Sequence, residues 1–289
     1  MSATAVPEIV RALEWARSRI GAGDARILLR HTLGCAAAHL VAHPEQSLDP
    51  NEWARFQAMV ERRAVGEPIA YLTGEREFYG GMFLVTPAVL IPRHETELLV
   101  ELALACFGDR PRTRVLDLGT GSGALAVTLA RELPEPEVTA VDRSREALLV
   151  AMANAVQLQA SVSFLQSDWF SALAGDRFHL IVSNPPYVAA EDPHLEEGDV
   201  RFEPRAALAS GPQGLDDLAV IAAGAPHHLE PGGWLFMEHG YNQAAQVRSL
   251  LTDAGFSSIS SYRDLSDIER VSGGQWLGRT PVDDANGEP

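Results

Sequence analysis

The sequence is poor in cysteine and in long apolar runs. Its 289 residues include two cysteines, Cys35 and Cys106, which cannot form a disulfide framework and do not lie in the spacing of a metal site. We therefore expect no metal ion. No stretch of about 18 apolar residues occurs, and no basic-then-apolar leader follows Met1, so we expect neither a membrane span nor a secretory signal. These features predict a cytoplasmic protein.

Basic residues are also few. The sequence has 23 Lys and Arg against 39 Asp and Glu, a formal net charge of -16. A surface with this balance repels a phosphate backbone on average, whereas nucleic-acid-binding proteins usually present a basic face. The charge therefore disfavours a nucleic-acid substrate and favours a small molecule or a basic protein as the partner. We also expect a monomer without a membrane partner.

The spacing of apolar residues changes along the chain. It is helical up to about Gly66, with Asp24 and Asp49 as the expected caps of the second and third helices. Aromatic and β-branched residues then flank Gly80 and Gly81, which predicts a β-hairpin. Beyond the hairpin, short apolar strands alternate with amphipathic helices, a pattern typical of a doubly wound, mostly parallel sheet.

The strand signals predict how this sheet is completed. RVLDLG, EVTAVD, VSFLQSD, HLIVSNPPY and GGWLFMEHG precede two later candidates, near 257–262 and 275–277, which would finish a seven-stranded sheet as an antiparallel hairpin. The fold class is therefore α/β with a small N-terminal helical domain. We predict a helical bundle at 1–70, a β-hairpin connector at 71–92, a catalytic domain at 93–279 and a disordered tail at 280–289.

A glycine-rich loop, VLDLGTGSGALA, follows the first strand of the alternating region. Its candidate binding residues are Gly119, Thr120, Gly121, Ser122 and Gly123. Glycine lets the backbone turn tightly and approach a ligand at the start of the next helix. Asp142 follows the next strand about 20 residues later, where a carboxylate can hold a ribose diol. This spacing fits S-adenosylmethionine and a dinucleotide, so it predicts an adenosine-containing cofactor.

Asp117 ends the strand that precedes this loop. A carboxylate there would repel a pyrophosphate, but it suits the zwitterionic end and the cationic sulfonium of S-adenosylmethionine. The same side chain could also hydrogen-bond the loop backbone. Asp117 therefore favours S-adenosylmethionine as the cofactor.

The stretch IVSNPPYVA places Asn184, Pro185, Pro186 and Tyr187 at the end of a buried strand, where parallel sheets bind ligands. The Asn184 side-chain oxygen and the Pro185 carbonyl can accept both hydrogens of a planar NH2 group. The prolines have no N–H, so few donors compete for these acceptors. Tyr187 can stack on a flat amide or base. This chemistry predicts methyl transfer to an NH2 group and leaves an amide and an amino base open.

Blocks along the chain resemble the release factor glutamine methyltransferases of the HemK/PrmC family. They are DLGTGSG, AVDRS, LQSDWFSAL, IVSNPPYV, DPHLEEGDVRFEP and MEHG. The resemblance implies a class I S-adenosylmethionine-dependent methyltransferase fold. It also implies methyl transfer to the side-chain amide N5 of the glutamine in the Gly-Gly-Gln motif of class-1 peptide chain release factors.

The resemblance further assigns residue roles. Residues 119–123 would hold the cofactor, Asp142 its ribose and Trp169 its adenine. Asn184 would touch both cofactor and substrate, and 185–187 would complete the amide site, while the N-terminal helices would grip the release factor. His94 replaces a proline of the family pattern, and neighbouring Arg93 and Glu97 receive no assigned role.

Gly273, Gly274 and Gln275 repeat the substrate motif within this chain. Their position between two strand candidates predicts an ordinary β-turn, and we expect no self-methylation. Two other functions remain alternatives at this stage. One is methylation of adenine N6 or guanine N2 in nucleic acid, and the other is non-catalytic binding of a translation factor, which an intact Asn-Pro-Pro-Tyr element disfavours.

Overall fold

The computed structural model describes residues 6–278, so the tail predicted at 280–289 lies outside the described residues. The chain forms two compact units. Within residues 6–278, the helical unit comprises 6–75 and Gly198–Phe202, and the sheet unit comprises Arg76–Glu197 and 203–278. Among residues 6–278, no helix combines the length and the apolar character that crossing a membrane requires.

The helical unit packs its helices around one apolar core. The helices are α1 (Ile9–Ile20), α2 (Ala22–Leu33), α3 (Ala37–Ala42), α4 (Pro50–Ala64) and α5 (Ile69–Thr73). The side chains of Ile9, Leu28, Phe56 and Val60 are fully buried in this core. Their helical spacing produces the apolar faces that α1, α2 and α4 turn toward one another.

Helix α4 begins as predicted. The Asp49 carboxylate accepts hydrogen bonds from the backbone nitrogens of Asn51 and Glu52, at 2.7 and 2.8 Å. The Glu52 carboxylate in turn accepts from the Asp49 nitrogen at 2.8 Å, which completes a capping box.

Helix α2 does not begin as predicted, because it starts at Ala22 and Gly21 is its cap. Asp24 lies in the first turn of the helix, where its carboxylate accepts from Arg63 Nε at 2.7 Å. Arg63 also donates to Asp199 at 2.7 Å, so one guanidinium joins α2, α4 and the 198–202 segment. The expected capping role of Asp24 was therefore wrong, because a tertiary ion pair uses its carboxylate.

A two-stranded hairpin and a seven-stranded sheet follow the N-terminal helices. The hairpin pairs β1 (Glu75–Phe78) with β2 (Gly81–Leu84). The large sheet contains β3 (Arg114–Leu118), β4 (Glu137–Asp142), β5 (Val162–Gln166), β6 (Phe178–Ser183), β7 (Leu229–Glu238), β8 (Ser257–Arg263) and β9 (Glu269–Trp276). Its helices are α6 (Glu97–Phe107), α7 (Ala124–Glu132), α8 (Arg145–Gln157), α9 (Asp216–Gly224) and α10 (Ala244–Asp253).

The strand order is β5-β4-β3-β6-β7-β9-β8, and β9 is antiparallel to both of its neighbours. The pairs β5-β4, β4-β3, β3-β6 and β6-β7 are parallel. Alternate side chains of each central strand enter two separate apolar layers, since Val115 packs in one and Leu116 in the other. The predicted α/β fold, with a mostly parallel sheet that ends in an antiparallel hairpin, is confirmed.

The Gly-Gly-Gln triplet lies inside β9, so the predicted turn was wrong. Gly273 pairs with Phe236 of β7 and Ser260 of β8. A Cβ at Gly273 would lie 2.2 Å from the Phe236 ring. The glycine therefore lets an aromatic ring cross the strand, while Gln275 donates from Nε2 to the Gly232 carbonyl at 3.0 Å.

We expect Gly273→Ala to destabilise the sheet unit by about 1–3 kcal/mol, because an added methyl group must displace the Phe236 ring. Gln275→Ala is the matched control on the same strand. It removes one hydrogen bond from a side chain at the surface and should cost clearly less. Urea unfolding followed by circular dichroism measures both variants, and equal losses would contradict a packing role for Gly273.

Candidate active site

The carboxyl ends of β3, β4 and β6 border a cavity of about 230 Å³. The chain leaves β3 in one direction to form β4 and β5, and then returns to the other side of β3 as β6. Ligands bind at such a switch point because loops diverge there and leave a crevice. The sequence-predicted residues that line the cavity are Asp117, Gly119, Thr120, Gly121, Ser122, Asp142, Trp169, Asn184 and Pro186.

The glycine loop folds against the end of β4. The backbone nitrogens of Gly119 and Thr120 both donate to the Val141 carbonyl at 2.9 Å. Gly119 has a φ of 72°, which L side chains rarely adopt. A Cβ there would also lie 3.3 Å from the Trp169 ring. Glycine at this position therefore allows both the turn and the close approach of the indole.

Asp117 is 1% exposed and is only partly satisfied. Its Oδ2 accepts from Thr120 Oγ1 at 2.6 Å and from the Ala126 nitrogen at 3.2 Å. Its Oδ1 has no hydrogen-bond partner among the described residues. Burial raises the pKa of Asp117 to about 7, against the opposing effect of these two hydrogen bonds. Asp117 lines the cavity, and a carboxylate with an unpaired oxygen suits a cationic ligand group.

Asp142 closes the opposite side of the loop. Its Oδ2 accepts from the Gly121 nitrogen at 2.9 Å, and its Oδ1 accepts from the Ser144 nitrogen at 2.8 Å. A carboxylate oxygen can accept more than one hydrogen bond. Asp142 can therefore hold the loop and still accept from ligand hydroxyls.

Trp169 forms an aromatic wall beside the loop. Its backbone φ is 46°, and its Nε1 donates to Asp217 Oδ1 at 3.1 Å. The hydrogen bond fixes the ring plane next to Gly119, where a planar base can stack. Sequence reasoning did not identify Asp217, which lies 48 positions away and also lines the cavity.

Asn184 directly follows β6 and belongs to a buried hydrogen-bond network. Its Nδ2 donates to Thr96 Oγ1 at 3.0 Å. Thr96 Oγ1 donates to Glu238 Oε2 at 2.7 Å, and the Tyr187 hydroxyl donates to Glu238 Oε1 at 3.0 Å. Sequence reasoning missed Thr96 and Glu238, although Glu238 lies in the MEHG block at the end of β7.

Burial dominates the electrostatics of this network. Glu238 is 1% exposed, and desolvation raises its pKa to about 7 although both hydroxyl donors oppose the rise. Desolvation and the adjacent Glu238 carboxylate also raise the pKa of Tyr187 well above its ordinary value. The Tyr187 ring packs against the apolar layer that contains Leu116. Tyr187 is therefore a neutral hydroxyl donor, and its ring is held by packing against this apolar layer.

Three of the candidate residues lie beside the cavity and not on its wall. Gly123, Pro185 and Tyr187 do not line the cavity as the described residues form it. Pro185 is buried, and the Tyr187 carbonyl accepts from Gln243 Nε2 at 3.0 Å. Of the four residues of the Asn-Pro-Pro-Tyr element, Asn184 and Pro186 therefore form part of the cavity wall.

Arg93 pairs with Glu203, whose side chain is fully buried. Glu203 also accepts from the Ile91 nitrogen at 3.1 Å. The segments on either side of this pair both line the cavity, through Pro92 and Pro204 among others. The ion pair therefore joins two walls of the cavity.

His94 and Glu97 meet Glu77 of the hairpin at the surface. One ligand atom from each lies within 4.8 Å of the others. Glu97 Oε1 already accepts from the Tyr79 nitrogen at 3.1 Å and contacts His94 Nδ1 at 3.2 Å. Hydrogen bonds within the sheet unit thus account for the position of Glu97.

Comparisons with known proteins place the chain in a family. Residues 7–74 match the PrmC N-terminal domain, and residues 94–199 match the methyltransferase small domain. The chain is 52% identical to the release factor glutamine methyltransferase of Burkholderia pseudomallei (strain K96243), over 95% of this chain and 99% of that protein. It is 54% identical to that of Bordetella pertussis (strain Tohama I), over 87% and 93% respectively.

A solved methyltransferase from Pyrococcus furiosus has the same fold. It is 19% identical, with a TM-score of 0.53, over 80% of this chain and all of that one. The fold and the site define a class I methyltransferase, whose methyl donor is S-adenosylmethionine. The chain belongs to the release factor glutamine methyltransferase family, as the identities above establish.

Asp117→Asn should change how stability depends on pH. The folded state raises the pKa of Asp117 from 3.8 to about 7, so it binds this proton more tightly than the unfolded chain does. The contribution of this proton to the free energy of unfolding is fully present below pH 4 and is lost as the pH rises through 7. The wild type should therefore lose roughly 4 kcal/mol relative to the variant between these values, since a pKa difference of one corresponds to about 1.4 kcal/mol.

Thermal unfolding without ligand measures this difference, and Asp253→Asn on the exposed end of α10 is the control. A pH-independent difference between the wild type and Asp117→Asn would contradict the raised pKa.

Proposed function

We propose that this chain transfers the methyl group of S-adenosylmethionine to the side-chain amide N5 of the glutamine in the Gly-Gly-Gln motif of class-1 peptide chain release factors. One observation carries the proposal. Asn184 lies on the wall of the same cavity as the glycine loop and Asp142, with its Nδ2 engaged by Thr96. Its Oδ1 is then the atom available to accept from a substrate NH2 group.

The residues around the cavity fit the donor. The free Oδ1 of Asp117 suits the ammonium of the methionine end, and Asp142 suits the ribose hydroxyls. The Trp169 ring suits the adenine, and the backbone of 119–123 provides the close approach. The donor supplies an electrophilic methyl group on a cationic sulfur.

The residues of the Asn-Pro-Pro-Tyr element act by orientation. The Asn184 Oδ1 on the cavity wall accepts one amide hydrogen. The Pro185 carbonyl and the Tyr187 ring, which lie beside the cavity, accept the second hydrogen and limit the amide plane where the substrate extends past that wall. The amide nitrogen then presents its face to the methyl carbon. Good orientation of two reactants supplies up to about 7–11 kcal/mol of the barrier reduction. As the N–C bond forms, sulfur keeps the electron pair of the broken C–S bond and the nitrogen releases one proton to solvent.

The helical unit is assigned to binding of the release factor. We infer a division into release-factor binding at 1–70, a hairpin connector at 71–92 and catalysis at 93–279. The match of 7–74 to the PrmC N-terminal domain supports this assignment. A protein partner, in place of nucleic acid, is supported by the net charge of -16. We further infer a cytoplasmic monomer.

Labelled S-adenosylmethionine tests the substrate directly. We expect label on a class-1 release factor and none on its variant with Ala in place of the motif glutamine. Bulk DNA and RNA, offered in parallel, should stay unlabelled. Label on nucleic acid would favour the amino-base alternative, and the absence of any label would favour a binding protein.

Asn184→Ala should reduce turnover by roughly 100-fold or more, because the amide loses the acceptor that orients it. Affinity for S-adenosylmethionine should fall only a few-fold, since Asp117, Asp142 and Trp169 remain. Asn242→Ala, at an exposed position of the same unit, is the control. Single-turnover kinetics and calorimetric titration separate the two effects, and near-normal turnover in Asn184→Ala would refute the orienting role.

A further inference from the structure

We propose that Glu238 is a positioning residue that sets which way round the Asn184 amide points, through the hydroxyl of Thr96. The inference rests on the proposed function and adds two residues to it. Neither Thr96 nor Glu238 belongs to the Asn-Pro-Pro-Tyr element. They reach Asn184 only because the sheet and the start of α6 bring them together.

Strand register places Glu238 beside Asn184. Ser183 of β6 pairs in parallel with Met237 of β7, so the residues that follow each of them are neighbours. Thr96 immediately precedes α6, and its Oγ1 lies 3.0 Å from Asn184 Nδ2 and 2.7 Å from Glu238 Oε2. Both Thr96 and Glu238 are buried, at 5% and 1% exposure. No solvent molecule is therefore needed to complete the link.

The direction of the chain follows from proton counting. A threonine hydroxyl has one proton, and an ionised carboxylate can only accept. The Thr96 proton therefore points to Glu238, which leaves Thr96 Oγ1 as an acceptor toward Asn184. An acceptor at that position selects the NH2 side of the amide. The Asn184 Oδ1 therefore points away from Thr96 and can accept a hydrogen bond from the substrate NH2 group.

The flipped amide would be unproductive. It would place Oδ1 against an oxygen whose proton is already committed, and it would offer an NH2 group to a substrate NH2 group. Two donors cannot hydrogen-bond each other. The other Glu238 oxygen accepts from the Tyr187 hydroxyl at 3.0 Å. One carboxylate thus orients both ends of the element.

Variants of nearly equal shape test this chain of hydrogen bonds. Thr96→Val keeps the branched side chain and removes the hydroxyl, whereas Thr96→Ser keeps the hydroxyl and removes a buried methyl group. At pH 8, above the pKa of about 7 that burial gives Glu238, we expect Thr96→Val to lower kcat roughly 10–100-fold with little change in cofactor affinity. Thr96→Ser should retain most of the wild-type kcat.

A purely structural role for Thr96 predicts a different order of kcat. Thr96→Ser loses packing, so a purely structural role would make it no better than Thr96→Val in kcat. Glu238→Leu should resemble Thr96→Val, because Thr96 loses its acceptor and its hydroxyl can then donate to the oxygen of a flipped Asn184 amide. Equal kcat for Thr96→Val and Thr96→Ser, with both folded by circular dichroism, would overturn the proposal.

A second readout does not depend on turnover. The Asn184 side-chain NH2 resonances, assigned by their loss in Asn184→Ala, should show one slowly exchanging proton in the wild type and in Thr96→Ser. That protection should disappear in Thr96→Val and Glu238→Leu. Unchanged exchange in these two variants would refute the link even if the release factor proved not to be the substrate. Conversely, a wild type that shows the protection but labels no release factor would refute only the proposed function.

Discussion

The parallel pairing of β3 with both β4 and β6 is the constraint on which the site depends. Parallel neighbours end at the same edge of a sheet, and here the chain reverses its progress across the sheet at β3. Asp117, Asp142 and Asn184 therefore come from three different strands and still line one cavity. The apolar residues that alternate along these strands stabilise both layers, so the core holds the geometry of the cavity.

Three carboxylates are buried among the described residues, and one of them, Glu203, pairs with Arg93. Asp117 and Glu238 are each 1% exposed, and burial raises the pKa of each to about 7. Burying a carboxylate with incomplete hydrogen bonding costs stability. Both lie near atoms that the proposed reaction uses: Asp117 lines the cavity with its Oδ1 unpaired among the described residues, and Glu238 accepts from the hydroxyls of Thr96 and Tyr187. This placement accounts for charges that packing alone would disfavour.

Local patterns predicted well wherever one element carries the signal. The glycine run between β3 and α7 and the helix cap at Asp49 depend on neighbours a few positions away, and both have the expected form. Prediction failed where a distant partner decides. Arg63 draws Asp24 into an ion pair, and β7 and β8 pair with the Gly-Gly-Gln triplet and turn an expected loop into a strand. Glycine indicates a turn only where its backbone does not pair with neighbouring strands.

The sequence by itself determined the class of chemistry. It predicted acceptors for an NH2 group at Asn184 and Pro185, and an adenosine site at the glycine loop and Asp142, because these properties belong to residue types and short spacings. Only the tertiary structure decided how Asn184 is held. Thr96 and Glu238 are 142 positions apart, and their hydrogen bond exists because parallel strand register and the start of α6 converge on one buried point. No local pattern encodes that convergence.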